Sequence, residues 1–371
     1  MNIYVVITIV MLFFLITTRS HYGVSRVRIS HDVERFVENR RKDRYQKFAL
    51  VTIGIILVLI TGLRSSQISE DYQHYRYIYT FQISKASWKE IIFSREPLFK
   101  LLMKIIGEIT GYNIVIFMLV IAAVTCFFFV KYIEENATYP VFVLFLLFTI
   151  GSYYTSFNTT RQYMAVAMYT MSFEYACERK RKEYIISVLF ISLFHTSALA
   201  MLPFYWVLNL GWQKRKSIYI NLMIMMGISI SLLVIKYFIV DLIQIYYFNM
   251  SNRISELYEG NVGLINLVRP ALILSLALLS RNRLNFQNSR DTCLFNAAVY
   301  FFVFFIYACQ VTLFMRFAYF FIPGSLILID KLLDRMRLSN RRIAMSVLTV
   351  FCLLWCALGM FQTQYLFFWQ N

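Results

Sequence analysis

The chain of 371 residues is 59% hydrophobic and only 15% charged, with a mean hydropathy of +0.59, whereas soluble domains run to roughly 45–50% apolar and about 25% charged. Its 35 Phe and 26 Tyr against 12 Gly and 5 Pro exclude a disordered or fibrous chain, and its continuous apolar runs exclude both a single water-soluble core and a membrane barrel, whose strands would alternate. The net charge of +17 reads as membrane topology, because Lys and Arg collect on cytoplasmic loops, and nucleic acid is not an expected partner.

The run from Ile3 to Ile16 has no basic segment before it and no evident small-residue cleavage site, so a retained span is expected rather than a signal peptide. Apolar runs follow at residues 48–63, 113–130, 140–155, 160–177, 185–211, 218–240, 263–280, 292–312, 313–330 and 343–361. The loops between them are mostly short, which predicts one membrane domain over residues 1–371. Basic residues fix the sidedness: nine lie in residues 19–47, four between Glu178 and Glu183, three at Lys214–Lys216, three in 281–290 and five in 331–342, with Lys131 besides. If all these loops are cytoplasmic, both termini lie outside, and the stretch 185–211, flanked by basic loops on both sides, enters the membrane and returns. The expected fold is therefore all-α, a polytopic transmembrane helix bundle of about 11–12 passes, with a short re-entrant hairpin turning near His195, Thr196 and Ser197. A single oblique span is the alternative for this stretch and would invert everything after it. The six cysteines lie in or beside apolar helices without CxxC or histidine neighbours, so neither a disulfide framework nor a metal site is expected.

Four arginines, Arg64, Arg161, Arg269 and Arg316, fall at the outer ends of spans in this topology. Burying a charge at the bilayer midplane costs about 2.5–3.5 kcal/mol on insertion scales, so such residues usually face a cavity or an anion. Each alone could be a snorkelling anchor; four on one face favour a shared anionic ligand. Arginine suits phosphate because its planar fork donates paired hydrogen bonds and keeps its charge. There is no Walker loop, GxGxxG or DxD pair, so no nucleotide donor, metal or other cofactor is expected, and a lipid diphosphate held by arginine alone fits best.

The longest outward segment, 64–112, carries Asp71, Tyr72, Tyr75, Glu96 and Pro97 among many aromatics. Tyr72, Tyr75, Tyr77, Tyr79 and Trp88 are either stacking platforms for sugar rings or an interfacial belt. Trp88 to Ile106 reads as one interfacial amphipathic helix, with Lys89, Arg95, Lys100 and Lys104 as its polar side. His195 lies between two apolar stretches. It either bonds a neighbouring helix or, if the hairpin holds, joins the arginines to shuttle a proton or hold a diphosphate.

These residues fall into motifs: Arg64 then Asp71-Tyr72-x-x-Tyr75, Glu96-Pro97-Leu98-Phe99, Thr160-Arg161-Gln162-x-x-Ala165, Phe194-His195-x-Ser197-Ala198, and Arg316-Phe317-x-Tyr319-Phe320. In order and spacing they resemble the EpsG family, which is similar to the Wzy-type polymerases that join polyprenyl-diphosphate-linked repeat units into exopolysaccharide, capsule or O-antigen. The resemblance implies a membrane glycosyltransferase at the outer face of the bacterial cytoplasmic membrane. Its partners would be lipid-linked glycans and the bilayer, with a flippase and a chain-length regulator nearby. Carried over residue by residue, it marks Arg64, Asp71, Tyr72, Glu96, Arg161, Gln162, His195 and Arg316; Arg269 rests on topology alone. Asp71, Glu96 and His195 are equal candidates for the general base, with Arg161 and Arg316 stabilising the leaving diphosphate and Arg64, Tyr72, Tyr75, Gln162 and Arg269 binding substrate. A lipid-linked oligosaccharide flippase would need its cations reachable from both faces; a polysaccharide ligase or a membrane acyltransferase would share much of this chemistry.

Overall fold

The computed structural model describes residues 2–21, 32–68, 70–150, 152–211, 263–309, 311–358 and 365–370, with a few positions between 219 and 230. The expected run at 218–240 lies almost wholly outside the described residues. In chain order the helices are α1 (Ile3–His21), α2 (Asp32–Gly62), α3 (Glu70–Tyr77), α4 (Trp88–Ile92), α5 (Pro97–Thr110), α6 (Ile114–Asn136), α7 (Pro140–Thr149), α8 (Ser152–Thr155), α9 (Thr160–Cys177), α10 (Arg181–Ser192), α11 (Phe204–Leu208), α12 (Val268–Leu279), α13 (Ser289–Ala308), α14 (Leu313–Ala318), α15 (Ile322–Asp334) and α16 (Leu338–Leu358). Among the described residues, five helices are long and apolar enough to cross a bilayer: Arg44–Gly62, Ile114–Asn136, Ser289–Ala308, Leu313–Asp334 and Leu338–Leu358. The described residues thus form a helical protein with the spans of a membrane protein.

The chain divides into two compact units. The first comprises Met1–Met168, Ile191–Thr196 and Met336–Asn371; the second comprises Tyr169–Phe190 and Ser197–Arg335. In the first, α2 lies along α6, and α7 packs against α1, α2, α6 and α16. Gly62 permits the α2–α6 approach, since a Cβ there would overlap the backbone of Leu119. Helix α6 starts where the Asn113 side chain accepts hydrogen bonds from the Val115 and Ile116 amides at 3.0 and 3.3 Å. The run expected at 140–155 is not one span. Helix α7 has ten residues, all of them buried, and at 1.5 Å per residue its length is about half the hydrocarbon thickness. Enclosed by protein, it need not match the bilayer. Beyond α2, Ser65 N–H donates to Leu366 O at 2.8 Å and Phe368 N–H to Leu63 O at 2.9 Å, forming an isolated antiparallel bridge around Arg64 and Phe367.

The second unit is built on α13, which is buried along most of its length and packs against α11, α12, α14 and α15. Phe204, Tyr300, Phe304 and Phe321 interleave there with ring centroids 5.0–6.1 Å apart. Asn296 ties the end of α11 by donating to the carbonyls of Val207, Leu208 and Leu210. Gly324 is a close-approach position, because a Cβ would meet the Phe173 ring and Ala297.

The expected interfacial helix takes a different form. The single amphipathic helix over Trp88–Ile106 is broken into α4 and α5. Helix α4 ends at Ile92, and Pro97 keeps the chain from rejoining it as one helix: proline disfavours the right-handed helical region at Glu96 before it and starts a new helix itself. Nor is Lys104 on a solvated side. It is buried, pairs with Glu108 at 2.8 Å and donates to Ser84 O at 3.1 Å. In the stretch 185–211, α10 ends at Ser192, His195 lies in the turn after it, and the chain continues as a 3₁₀ segment, Thr196–Met201, and then α11.

Candidate functional site

The break before Pro97 builds the site. Glu96 takes the left-handed conformation, φ 58° and ψ 57°, which costs a residue with a Cβ about 1–3 kcal/mol. Contacts of its carboxylate offset that cost. Oε2 accepts from Arg161 at 2.5 Å, and Oε1 meets His195 Nδ1 at 2.9 Å, Thr196 N–H at 2.9 Å and Thr196 Oγ1 at 3.0 Å. Arg95 in turn donates to Thr196 Oγ1 at 2.9 Å. Helix α9 supplies Arg161 at its first turn, and the turn after α10 supplies His195 and Thr196; the Leu98 amide donates to Leu193 O at 3.1 Å and joins that turn to α5.

Electrostatics follow from this geometry. Burial by itself pushes the Glu96 carboxyl up, but the hydrogen bonds from His195 and Thr196 and the charge of Arg161 outweigh it and bring it from 4.5 down to about 2. An ionised carboxylate only accepts hydrogen bonds, so His195 must carry its proton on Nδ1 when neutral, leaving the Nε2 lone pair available. Exposure grades outward: the side chains of Glu96, His195 and Arg161 are 5%, 13% and 29% exposed. Arg161 lies over the rings of Tyr75 and Phe99, 5.9 and 5.5 Å from their centroids, a cation–π arrangement that holds the guanidinium in place.

Arg64 is placed differently. Its side chain is enclosed, donating to Thr61 O, to Phe157 O at 3.2 Å and to Thr160 Oγ1 at 2.8 Å, beneath the rings of Tyr72 and Phe157. In this structure it staples the end of α2 to the start of α9, next to Arg161. Tyr72 and Tyr75 are likewise buried. Their rings lie against Arg64 and Arg161, so they offer no open face to a sugar, and burial pushes the Tyr75 hydroxyl up to about 12. Tyr79 is buried too, whereas Tyr77 and Trp88 keep exposed rings. Asp71 is half-buried and acts electrostatically on both Arg64 and Tyr75. Gln162 is buried on α9. Arg269 and Arg316 belong to the second unit; Arg269 bonds Asn266 Oδ1 at 3.0 Å and lies over the Phe305 ring, and Arg316 is half-buried on α14.

The residues brought together here, Glu96, Arg161 and His195, come from three separate sequence motifs. A family model described as the EpsG family matches residues 47–370, most of the chain. The chain belongs to the EpsG family. EpsG is a Wzy-type polymerase-like family, so membership suggests an exopolysaccharide polymerase-like function. No curated protein matches the chain, and no solved structure does.

Within this EpsG chain, sequence reasoning missed Thr196 and Arg95. Thr196 occupies the variable position of the Phe194-His195-x-Ser197 motif, and Arg95 was read as one charge on an amphipathic face. The available signal was adjacency: each directly neighbours a motif residue, Arg95 before Glu96 and Thr196 after His195.

Proposed function

We propose that this protein polymerises polyprenyl-diphosphate-linked oligosaccharide repeat units into an exopolysaccharide, capsule or O-antigen at the outer face of the bacterial cytoplasmic membrane. The observation that carries the reading is the Glu96–His195–Arg161 cluster, an oriented base beside a partly exposed arginine, assembled from family motifs.

In the reaction, a hydroxyl of one lipid-linked repeat attacks the anomeric carbon of a glycan on polyprenyl diphosphate. The bond from that carbon to the diphosphate oxygen breaks, and its electron pair leaves with the diphosphate. The hydroxyl proton passes to His195 Nε2. Of the three base candidates, Glu96 is the weakest, since a carboxylate with an acidity near 2 takes up few protons at neutral pH. Its role is to hold the imidazole and stabilise the imidazolium that forms. Arg161 stabilises charge developing on the departing diphosphate. Arg316, on its family motif, and Arg269, by its place at a span end, are assigned to anion binding. Asp71 is assigned to the acceptor side.

The test is to delete the gene and size the lipid-linked glycan. A polymerase mutant accumulates single repeat units on lipid at the outer face, restored to long chains by the wild-type gene but not by His195→Gln at equal abundance. Accumulation at the inner face would indicate a flippase. Full-length lipid-linked polymer that is not passed on would indicate a ligase, and normal polymer lacking an acyl group an acyltransferase. Single cysteines near Ser87 and Glu256 should react with an impermeant thiol reagent in intact cells, while those near Lys42, Lys180, Lys214, Arg283 and Arg337 should not; labelling at Lys214 would overturn the hairpin and the outward assignment of Arg269 and Arg316.

A further inference from the structure

Arg95 is exposed, yet it is bound to the catalytic cluster by a defined contact, its guanidinium donating to Thr196 Oγ1 at 2.9 Å. That hydroxyl and the Thr196 amide both engage Glu96 Oε1, while Arg161 holds Oε2. One buried carboxylate therefore has an arginine attached on each side, directly at Oε2 and through Thr196 at Oε1. Each guanidinium has more donors than these contacts use. Arg161 is part-exposed.

The charges do not cancel. Two arginines against one ionised carboxylate leave an excess of one positive charge, and protonation of His195 makes it two. Arg64 is enclosed, its terminal nitrogens engaged by Thr61 O, Phe157 O and Thr160 Oγ1. We propose that Arg95, steadied by Thr196, is the second arm of an anion clamp whose first arm is Arg161, and that the anion it takes is a diphosphate. A singly charged phosphodiester would leave the clamp overcharged once His195 is protonated, whereas a diphosphate diester brings two negative charges. The charge changes also match through the step proposed above, on which the identity of the diphosphate as a lipid leaving group rests. As the acceptor proton arrives on His195 Nε2, the diphosphate gains one negative charge on release. Thr196 is a positioning residue, since it acts through Arg95 and Glu96.

The test uses the full-length protein in nanodiscs of zwitterionic lipid, titrated with farnesyl diphosphate, farnesyl monophosphate and inorganic diphosphate. Arg95→Gln should weaken farnesyl diphosphate binding about tenfold, as expected for one charge-assisted contact, with a smaller change for the monophosphate; Arg95→Lys should recover part of the loss. Equal diphosphate affinity in Arg95→Gln and wild type would overturn the proposal. A second measurement needs no variant: phenylglyoxal modification of Arg95 in the wild-type protein, followed by mass spectrometry, should slow when diphosphate is added. An unchanged rate would overturn the clamp, and so would equal protection by nanodiscs containing anionic phospholipid alone, which would assign Arg95 to bilayer headgroups. The polymerase reading fails separately, by normal polymer in the deletion strain, whatever Arg95 binds.

Discussion

Two buried carboxylates in this protein are held by two basic groups each, and they differ in what those groups can do. Asp291, at the start of α13, pairs with Lys331 at 2.5 Å and Arg335 at 2.6 Å and accepts from the Asn285 amide at 2.8 Å. Its partners are an ammonium and a guanidinium, so the contact is a charge pair that ties the loop before α13 to the end of α15. Glu96 has one such cation, Arg161, and one histidine whose second nitrogen remains available. Replacing such a cation by imidazole turns a staple into a group that can take and return a proton. The local backbone differs as well: Asp291 lies within a regular helix, while Glu96 occupies a left-handed position.

The largest expected effect breaks the comparison outright. His195→Gln should lower polymerisation about 10²–10⁴-fold, the range for a general base, at near-normal abundance, read as single repeats on lipid; Glu96→Gln should lower it as far and also lose the stability its ionised carboxylate contributes. Asp291→Asn should do the opposite, destabilising the fold by about 3–5 kcal/mol through unpaired buried charge while the surviving protein polymerises normally. Loss of turnover without loss of protein in Asp291→Asn would erase the distinction drawn here.

Next come the arginines. Arg161→Lys should fall nearly as far as Arg161→Ala, about 10²–10³-fold, because lysine keeps the charge but loses the fork. Arg316→Lys is expected to behave alike, and Arg269→Lys less strongly. Lysine suffices for an interfacial anchor, so normal chain length in the Arg161→Lys and Arg316→Lys strains would reassign these residues to anchoring.

A pH series sharpens the same contrast. The folded-state acidity of Glu96 lies below its ordinary value, so its contribution to stability is present above about 4.5 and is lost as pH falls towards about 2. Thermal unfolding of the wild type in detergent should therefore fall across that window more steeply than that of Glu96→Gln. Parallel curves would mean that the carboxylate is not held in its ionised form. The smallest effect belongs to Thr196→Val, which keeps the shape but removes a hydroxyl that donates to Glu96 Oε1 and accepts from Arg95. Activity should drop about 30-fold, as for two hydrogen bonds of about 1 kcal/mol each, with little change in abundance.

Much of the architecture was legible from one-dimensional patterns. Apolar runs of span length located α2, α6, α13, the α14–α15 stretch and α16, because a bilayer demands continuous hydrophobicity whatever the neighbours are. Motif order brought the family, and its motifs carry Glu96, Arg161 and His195, whose side chains lie in contact. Pro97 carried a purely local signal for a break before it, which reading Trp88–Ile106 as one helix passed over. Other properties were settled by contacts between residues far apart in the chain. Glu96 and His195 are separated by 99 positions, and only the tertiary structure brings Arg161, His195 and Thr196 together on one carboxylate. Tyr72 and Tyr75 look like sugar platforms in sequence, but burial and stacking against Arg64 and Arg161 depend on which helices pass over them. Arg64 reads as a ligand-binding cation until the carbonyls of Thr61 and Phe157 surround it. Residue type determines what a side chain can donate, accept or bury; only the tertiary structure decides which partners occupy those capacities, and so which are left for a substrate.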